Sequence, residues 1–261
     1  MTRWLIVMLV ALLAGEGIAG TGPRVAIIID DLGYQLEAGR RAIALPGPVS
    51  YAILPETPLS RRLARSAHDN GKVVLLHLPL QAINYDGPDE PGGITLDMSR
   101  ASFRTTFANA MSSVPFAAGV SSHRGSLLTR HPGHMSWLME EIRAREGLFF
   151  VDSYTTVESV ALKIAREAGI RAAKRDVFLD HDPAADAVRY EFERLKTLAR
   201  RQGAAVGIGH PYPATLELLE RELPGLRAEG IELVSIDELL GHSAAWQRAS
   251  APSLRRVNAS H

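Results

Sequence analysis

Val25-Ala26-Ile27-Ile28-Ile29-Asp30-Asp31-Leu32-Gly33 is the stretch on which the reading of the fold turns. Its first five residues are apolar on both faces, which a strand needs when it is buried on both sides. Such strands belong to parallel sheets covered by helices. Asp30 and Asp31 close the run and Gly33 breaks it. In parallel α/β folds the chemistry sits where strands end, so this end is a candidate site.

Outward from it, apolar runs alternate with amphipathic ones. Residues 35–44 predict a helix, Pro46-Gly47-Pro48 a turn and Val49–Leu54 a strand stopped by Pro55. Leu59–Asn70 predicts a helix with Gly71 just past its end, and Val73–Leu76 a third buried strand. Residues 82–97 break the rhythm with prolines, glycines and aspartates, a long loop of the kind that serves as a lid or binding loop. Helices then follow at Ser99–Met111, His134–Arg145, 156–168, Ala184–Gln202 and Ala214–Glu222, with a short one at 236–240. Strands follow at Ala117–Val120, Leu148–Val151, Val177–Leu179, Ala205–Ile208 and Ile231–Val234. Alternation of this kind implies right-handed βαβ crossovers. Seven or eight βα units make a distorted or incomplete (β/α) barrel; an open doubly wound sheet is the competing architecture.

The chain has 261 residues with 29 basic and 29 acidic side chains. That balance offers no electrostatic ground for binding nucleic acid or an anionic membrane surface. It has no cysteine, which removes thiolate metal sites and cysteine nucleophiles. The N-terminus differs in kind. Arg3, an apolar run from Trp4 to Gly15, and Gly17 and Ala19 before a cut near Ala19–Gly20 read as a signal peptide over residues 1–19. The alternatives are an uncleaved anchor or a buried helix; the run is short for a bilayer span. Export to a bacterial periplasm follows from the first reading. The folded domain is expected over 24–240, and 241–261 as a basic, frayed tail.

Six strand ends carry Asp or His: Asp30-Asp31, His77, His123 after Ser121-Ser122, Asp152-Ser153, Asp180-His181-Asp182, and His210. Singly, each could be a cap or a hydrogen-bonded structural residue. Together they converge where barrel loops meet. Adjacent carboxylates repel unless one is protonated or a cation holds them. One Asp and two His around a metal, with a second Asp beside it, would make a hydrolase: the metal polarises a carbonyl, the free Asp takes a proton and a His protonates the leaving group. Such donors suit Zn²⁺, with Fe²⁺, Co²⁺ or Ni²⁺ as alternatives. His68, His131, His134 and His242 lie off this pattern and read as structural.

The ordered pieces IIIDDLGY (27–34), LLHLPL (75–80), GVSSHRGS (119–126), FFVDSYT (149–155), DVFLDHD (176–182) and IGHPYPAT (208–215) resemble the divergent branch of the polysaccharide deacetylases of NodB-homology type, from about Val25 to Leu240. The resemblance implies a NodB-like barrel and metal-dependent removal of acetyl from an N-acetylated sugar. By position it implies Asp30 as general base, Asp31, His77 and His123 as metal ligands, and His210 as the acid for the leaving group. It also implies Asp152 in support, through His210, with Asp180, Arg124 and Ser153 lining the substrate site. The chain departs from the ordinary pattern at Gln81, where those enzymes have a second metal-binding His, and it lacks an Arg-Pro-Tyr motif. A carbohydrate substrate is the implied partner, from peptidoglycan, a capsule or another exported polymer. Two other readings stand beside it: a non-catalytic periplasmic protein binding glycan or an envelope partner, and a hydrolase of another amide or ester. A sugar site should show aromatics beside the metal, with Tyr34, Tyr85, Tyr154 and Tyr212 as candidates. The sequence sets no oligomeric state.

Overall fold

The computed structural model describes residues 22–83 and 90–241. The expected signal peptide, the tail after Gly241 and the tip of the 82–97 loop, with Tyr85, lie outside the described residues. Nine strands form one sheet: β1 (Arg24–Leu32), β2 (Ser50–Ile53), β3 (Val73–Leu80), β4 (Ala117–Arg124), β5 (Phe149–Asp152), β6 (Ala172–Lys174), β7 (Val177–Phe178), β8 (Ala204–Gly209) and β9 (Glu232–Val234). The helices are α1 (Leu36–Ile43), α2 (Ser60–Asp69), α3 (Arg100–Ser113), α4 (Pro132–Arg143), α5 (Ala161–Glu167), α6 (Ala185–Gln202), α7 (Pro213–Glu222) and α8 (Ile236–Gly241). Among these no helix is long and apolar enough to cross a membrane.

Strand order is β6-β5-β4-β3-β2-β1-β8-β7, with β9 on the first residues of β1, and every pairing is parallel. Sequential neighbours curl into a barrel; a doubly wound sheet would place its first strands at the centre and reverse direction there. The barrel is incomplete between β6 and β7. Only Arg175 and Asp176 separate these two edge strands. The Arg175 N–H donates to Asp152 O at 2.9 Å and the Asp176 N–H to Val206 O at 2.9 Å, which ties the seam to β5 and β8. Two apolar layers hold the fold. Val25, Ile27 and Ile29 face the helices with Phe103, Phe107, Leu138 and Phe192. Ala26, Ile28, Ala52, Phe149, Val151, Val206 and Ile208 face the interior, where Ile236, Leu239 and Leu240 of α8 plug one end.

Several elements differ from the sequence reading. The expected helix at 156–168 is a turn followed by α5, and β6 was not anticipated, being three small or basic residues. β1, β3 and β4 run three or four residues past their expected ends, so their polar ends are strand rather than loop. Gly241 ends α8 instead of opening a tail.

Candidate active site

The period of two along each strand places the site. Inward positions Ala26 and Ile28 lead to Asp30, Leu75 leads to His77, and Val206 and Ile208 lead to His210. These polar groups stand one layer above the interior apolar core. Asp31 should point outward by the same rule. Instead it sits at φ 61°, at a register shift between Ile29 and Leu32, and turns back into the mouth. Arg124 (φ 55°) and Tyr154 (φ 50°) adopt the same left-handed conformation at the same rim. Strain of this kind, about 1–3 kcal/mol per residue, persists where surrounding structure enforces it and concentrates at functional sites.

Three donor atoms converge. Asp31 Oδ1 lies 3.1 Å from His77 Nε2 and 2.9 Å from His123 Nδ1, and the two ring nitrogens are 3.1 Å apart. Neighbouring ligands on a cation with bonds of about 2.1 Å stand about 3.0–3.4 Å apart. Asp31 Oδ1 is buried, and these two imidazole nitrogens are its near neighbours. The two ring nitrogens and this oxygen thus stand within contact distance of one another, as the ligand atoms of one cation do. Asp31, His77 and His123 therefore fit a divalent cation. The far ring nitrogens are also held: His77 Nδ1 by Ser121 Oγ at 2.8 Å, and His123 Nε2 by the Glu90 carboxylate at 3.2 Å.

Asp30 is buried beside this set, its Oδ2 3.5 Å from His77 Nε2 and its Oδ1 without a partner. Burial raises its pKa, against the pull of His77 and His210. Asp31 goes the other way: burial pushes its pKa up, but His123 and His77 outweigh it and hold the carboxyl well below the usual range. Across the mouth, His210 Nε2 lies 3.6 Å from Asp31 Oδ2. Its Nδ1 donates to Asp180 Oδ1 at 2.8 Å, while Asp180 Oδ2 accepts from the His210 N–H at 2.6 Å and the Thr215 hydroxyl at 2.7 Å. Desolvation lowers the His210 pKa, and Asp180 more than offsets it, so the net shift is upward.

This corrects the place expected for Asp152. It alternates with inward Phe149 and Val151, so its side chain leaves β5 on the other face. There it accepts from Tyr154 N at 2.9 Å and Ser159 Oγ at 2.7 Å, away from His210. Asp180 holds His210 instead. Ser153, buried with an unpartnered Oγ, does line the cleft floor, and Arg124 borders both the floor and the mouth. Gln81 is a loop anchor, its Oε1 accepting from Leu96 N at 2.8 Å. Tyr34 and Tyr212, 56% and 43% exposed, flank a mouth of about 470 Å³, whereas Tyr154 lies against Lys174. His131 and His134 contact each other, and His68 stacks on Phe116.

Two residues were missed by the sequence reading. Glu90 lies in the long loop over 82–97, away from any strand end. Arg175 follows the unanticipated β6; its guanidinium donates to Ser153 O at 2.7 Å and Tyr154 O at 3.0 Å and packs on Phe178, beside Asp30 in the cleft floor.

An incomplete parallel barrel with helices around it is the fold of the NodB-like deacetylases. The divergent polysaccharide deacetylase family matches residues 27–240, and the chain belongs to that family. It is 35% identical over 217 residues to an uncharacterized protein, YibQ, of Escherichia coli K12, covering 83% of this chain and 67% of that one. A crystal structure of an uncharacterized protein from Agrobacterium tumefaciens C58 is similar with TM-score 0.80 at 23% identity, over 85% of this chain and 90% of that one. The catalytic domain of a peptidoglycan N-acetylglucosamine deacetylase from Eubacterium rectale is similar with TM-score 0.53 at 13% identity, over 82% and 89%. At these identities the two structures speak to the fold.

Proposed function

We propose that the chain is an exported, metal-dependent hydrolase that removes acetyl from an N-acetylated sugar in a cell-envelope or exported polysaccharide. The observation that carries this is the donor triangle of Asp31, His77 and His123, with Asp30 on one side and the Asp180-held His210 on the other. A divalent cation held there would polarise the amide carbonyl and activate water. Asp30 accepts the proton of the attacking water through its unpartnered Oδ1; burial makes it the more basic carboxylate of the pair. His210, kept protonated at Nε2 by Asp180 behind it, donates to the departing nitrogen. Tyr34 and Tyr212 offer flat apolar faces to a sugar ring at the mouth. Export rests on the signal-like residues 1–19.

A barrel that only bound glycan would have no use for two adjacent carboxylates and an oriented His. The test is acetate release from N-acetylglucosamine oligomers by the mature chain, stripped of metal and reloaded with Zn²⁺, alongside its metal content. Release from the wild type, lost in Asp30→Asn with zinc retained, is expected. One zinc per chain without release from any N-acetylated glycan would point to a different amide or ester, and no zinc at all would end the hydrolase reading.

A further inference from the structure

Each imidazole of the donor triangle is held at its far nitrogen, but by different kinds of partner. Ser121 is buried and is the register partner of His77 on the neighbouring strand, so its position is built into the barrel. Glu90 comes from the long loop after β3. Its carboxylate reaches His123 Nε2 at 3.2 Å and Arg124 Nη2 at 3.0 Å, and Arg124 Nε donates toward the same His123 Nε2 at 3.2 Å. Gly93 N donates to Glu90 O at 2.9 Å and closes a turn, and Ile94 is fastened to the end of β3 and the residue after it: Ile94 N donates to Pro79 O at 2.9 Å and Gln81 N to Ile94 O at 3.0 Å. A Cβ on Gly93 would stand 2.8 Å from Glu90 O, so the turn at 90–93 is closely packed and fixes where Glu90 projects.

We propose that Glu90 is a positioning residue for the metal ligand His123, and that through it the 90–96 segment and the metal site stabilise one another. A carboxylate on the far nitrogen sets the ring's orientation and leaves Nδ1 as the bare, metal-facing atom; loss of such a partner weakens metal binding about 10–100-fold. Coupling is reciprocal, so whatever the loop contributes to metal affinity, the metal returns as loop stability. The inference rests on the metal-binding reading of the site. The rival account is a partly exposed ion pair between Glu90 and Arg124, with Arg124 Nε as the partner of His123 Nε2 and no bearing of Glu90 on the metal.

The experiment measures the Zn²⁺ dissociation constant of the metal-stripped chain by competition with a chromophoric chelator, for wild type, Glu90→Gln and Glu90→Asp, with amide hydrogen exchange of 91–96 with and without Zn²⁺. Expected are affinity losses of about 10–100-fold in Glu90→Gln and less in Glu90→Asp, and slower exchange at Gly93, Ile94 and Leu96 on adding Zn²⁺ to wild type, with less slowing in Glu90→Gln. Wild type that binds zinc while Glu90→Gln binds it equally well overturns the positioning role and leaves the metal reading intact. Weakened binding without any zinc-dependent protection overturns the coupling. A wild type that binds no zinc overturns both.

Discussion

At the residue scale, the site was legible where side-chain type is extreme for its place. Singly, an Asp or His at a strand end has structural explanations; it is the convergence of six such ends that singles out Asp30, Asp31, His77, His123 and His210. Asp152 and Asp180 could not be told apart that way, because each follows a short apolar run and only the phase of the strand decides which one faces inward. Phe178 on β7 faces the interior with His210, and Asp180 two residues on shares that face. Asp180→Asn should therefore be the informative variant. It takes the charge from behind His210 and presents an amide donor to Nδ1, so the imidazole loses its tautomer and its raised pKa. Turnover should fall about 10²–10⁴-fold. With His210 as the protonated donor of the proposed reaction, the alkaline limb of the kcat/KM profile should move to lower pH. Asp180→Ala should in addition cost about 2–4 kcal/mol in urea unfolding, since it leaves the Thr215 hydroxyl and the His210 N–H buried and unpaired. Asp152→Asn, on the other face, should leave the alkaline limb where it is; a shift there would return Asp152 to the role first expected of it.

At the element scale, periodicity found the strands but ended them too early, because it counts apolar residues and the chemistry begins where these stop. β6 escaped for the opposite reason: Ala172-Ala173-Lys174 carries no strand signal, and pairing with β5 alone makes it one. The element that does most for the site is the end of β1. There the register shift and positive φ bring two consecutive carboxylates to one mouth, and Gly33 closes the turn. A Cβ on Gly33, at φ 148°, would stand 2.3 Å from Thr57 Oγ1, the same hydroxyl that donates to Gly33 O at 2.9 Å. Gly33→Ala should then destabilise the fold by about 1–3 kcal/mol through overpacking against backbone-anchored neighbours. It should also weaken Zn²⁺ binding by displacing Asp31. Thermal unfolding and a zinc titration of the same variant separate the two effects. Full zinc affinity in a destabilised Gly33→Ala would mean that Asp31 is placed by its histidine neighbours instead of by the turn.

At the scale of the whole molecule, the order of elements was enough to suggest a barrel and to count its units, but not to find its seam, which depends on two very short edge strands meeting at Arg175 and Asp176. Ligand atoms from β1, β3 and β4 meet across the barrel mouth, so metal binding should act on the stability of the entire domain. A ligand at a thousandfold its dissociation constant stabilises by about 4 kcal/mol, which for a domain of this size is about 8–16 °C in Tm. The size of that shift should depend on pH, and its sign follows from His123. Burial lowers the His123 pKa, but Asp31 and Glu90 outweigh burial and raise it to about 9 in the metal-free protein. The pKa is thus higher folded than unfolded. The stability from this protonated His is fully present below its unfolded value of about 6.5 and is lost as pH rises toward 9. Zinc must displace that same proton, so its affinity rises over the same interval. The two are one linkage: from about pH 6.5 to about 9 the metal-free protein weakens while the zinc-bound protein, with no proton on His123, holds its stability, so the difference between them grows. Thermal melts at several pH values, with and without zinc, should show a shift that widens with pH in wild type and is absent at every pH in His123→Ala. A shift in wild type that does not change between pH 7 and 9 would place the titrating ligand elsewhere, and an undiminished shift in His123→Ala would remove His123 from the ligand set.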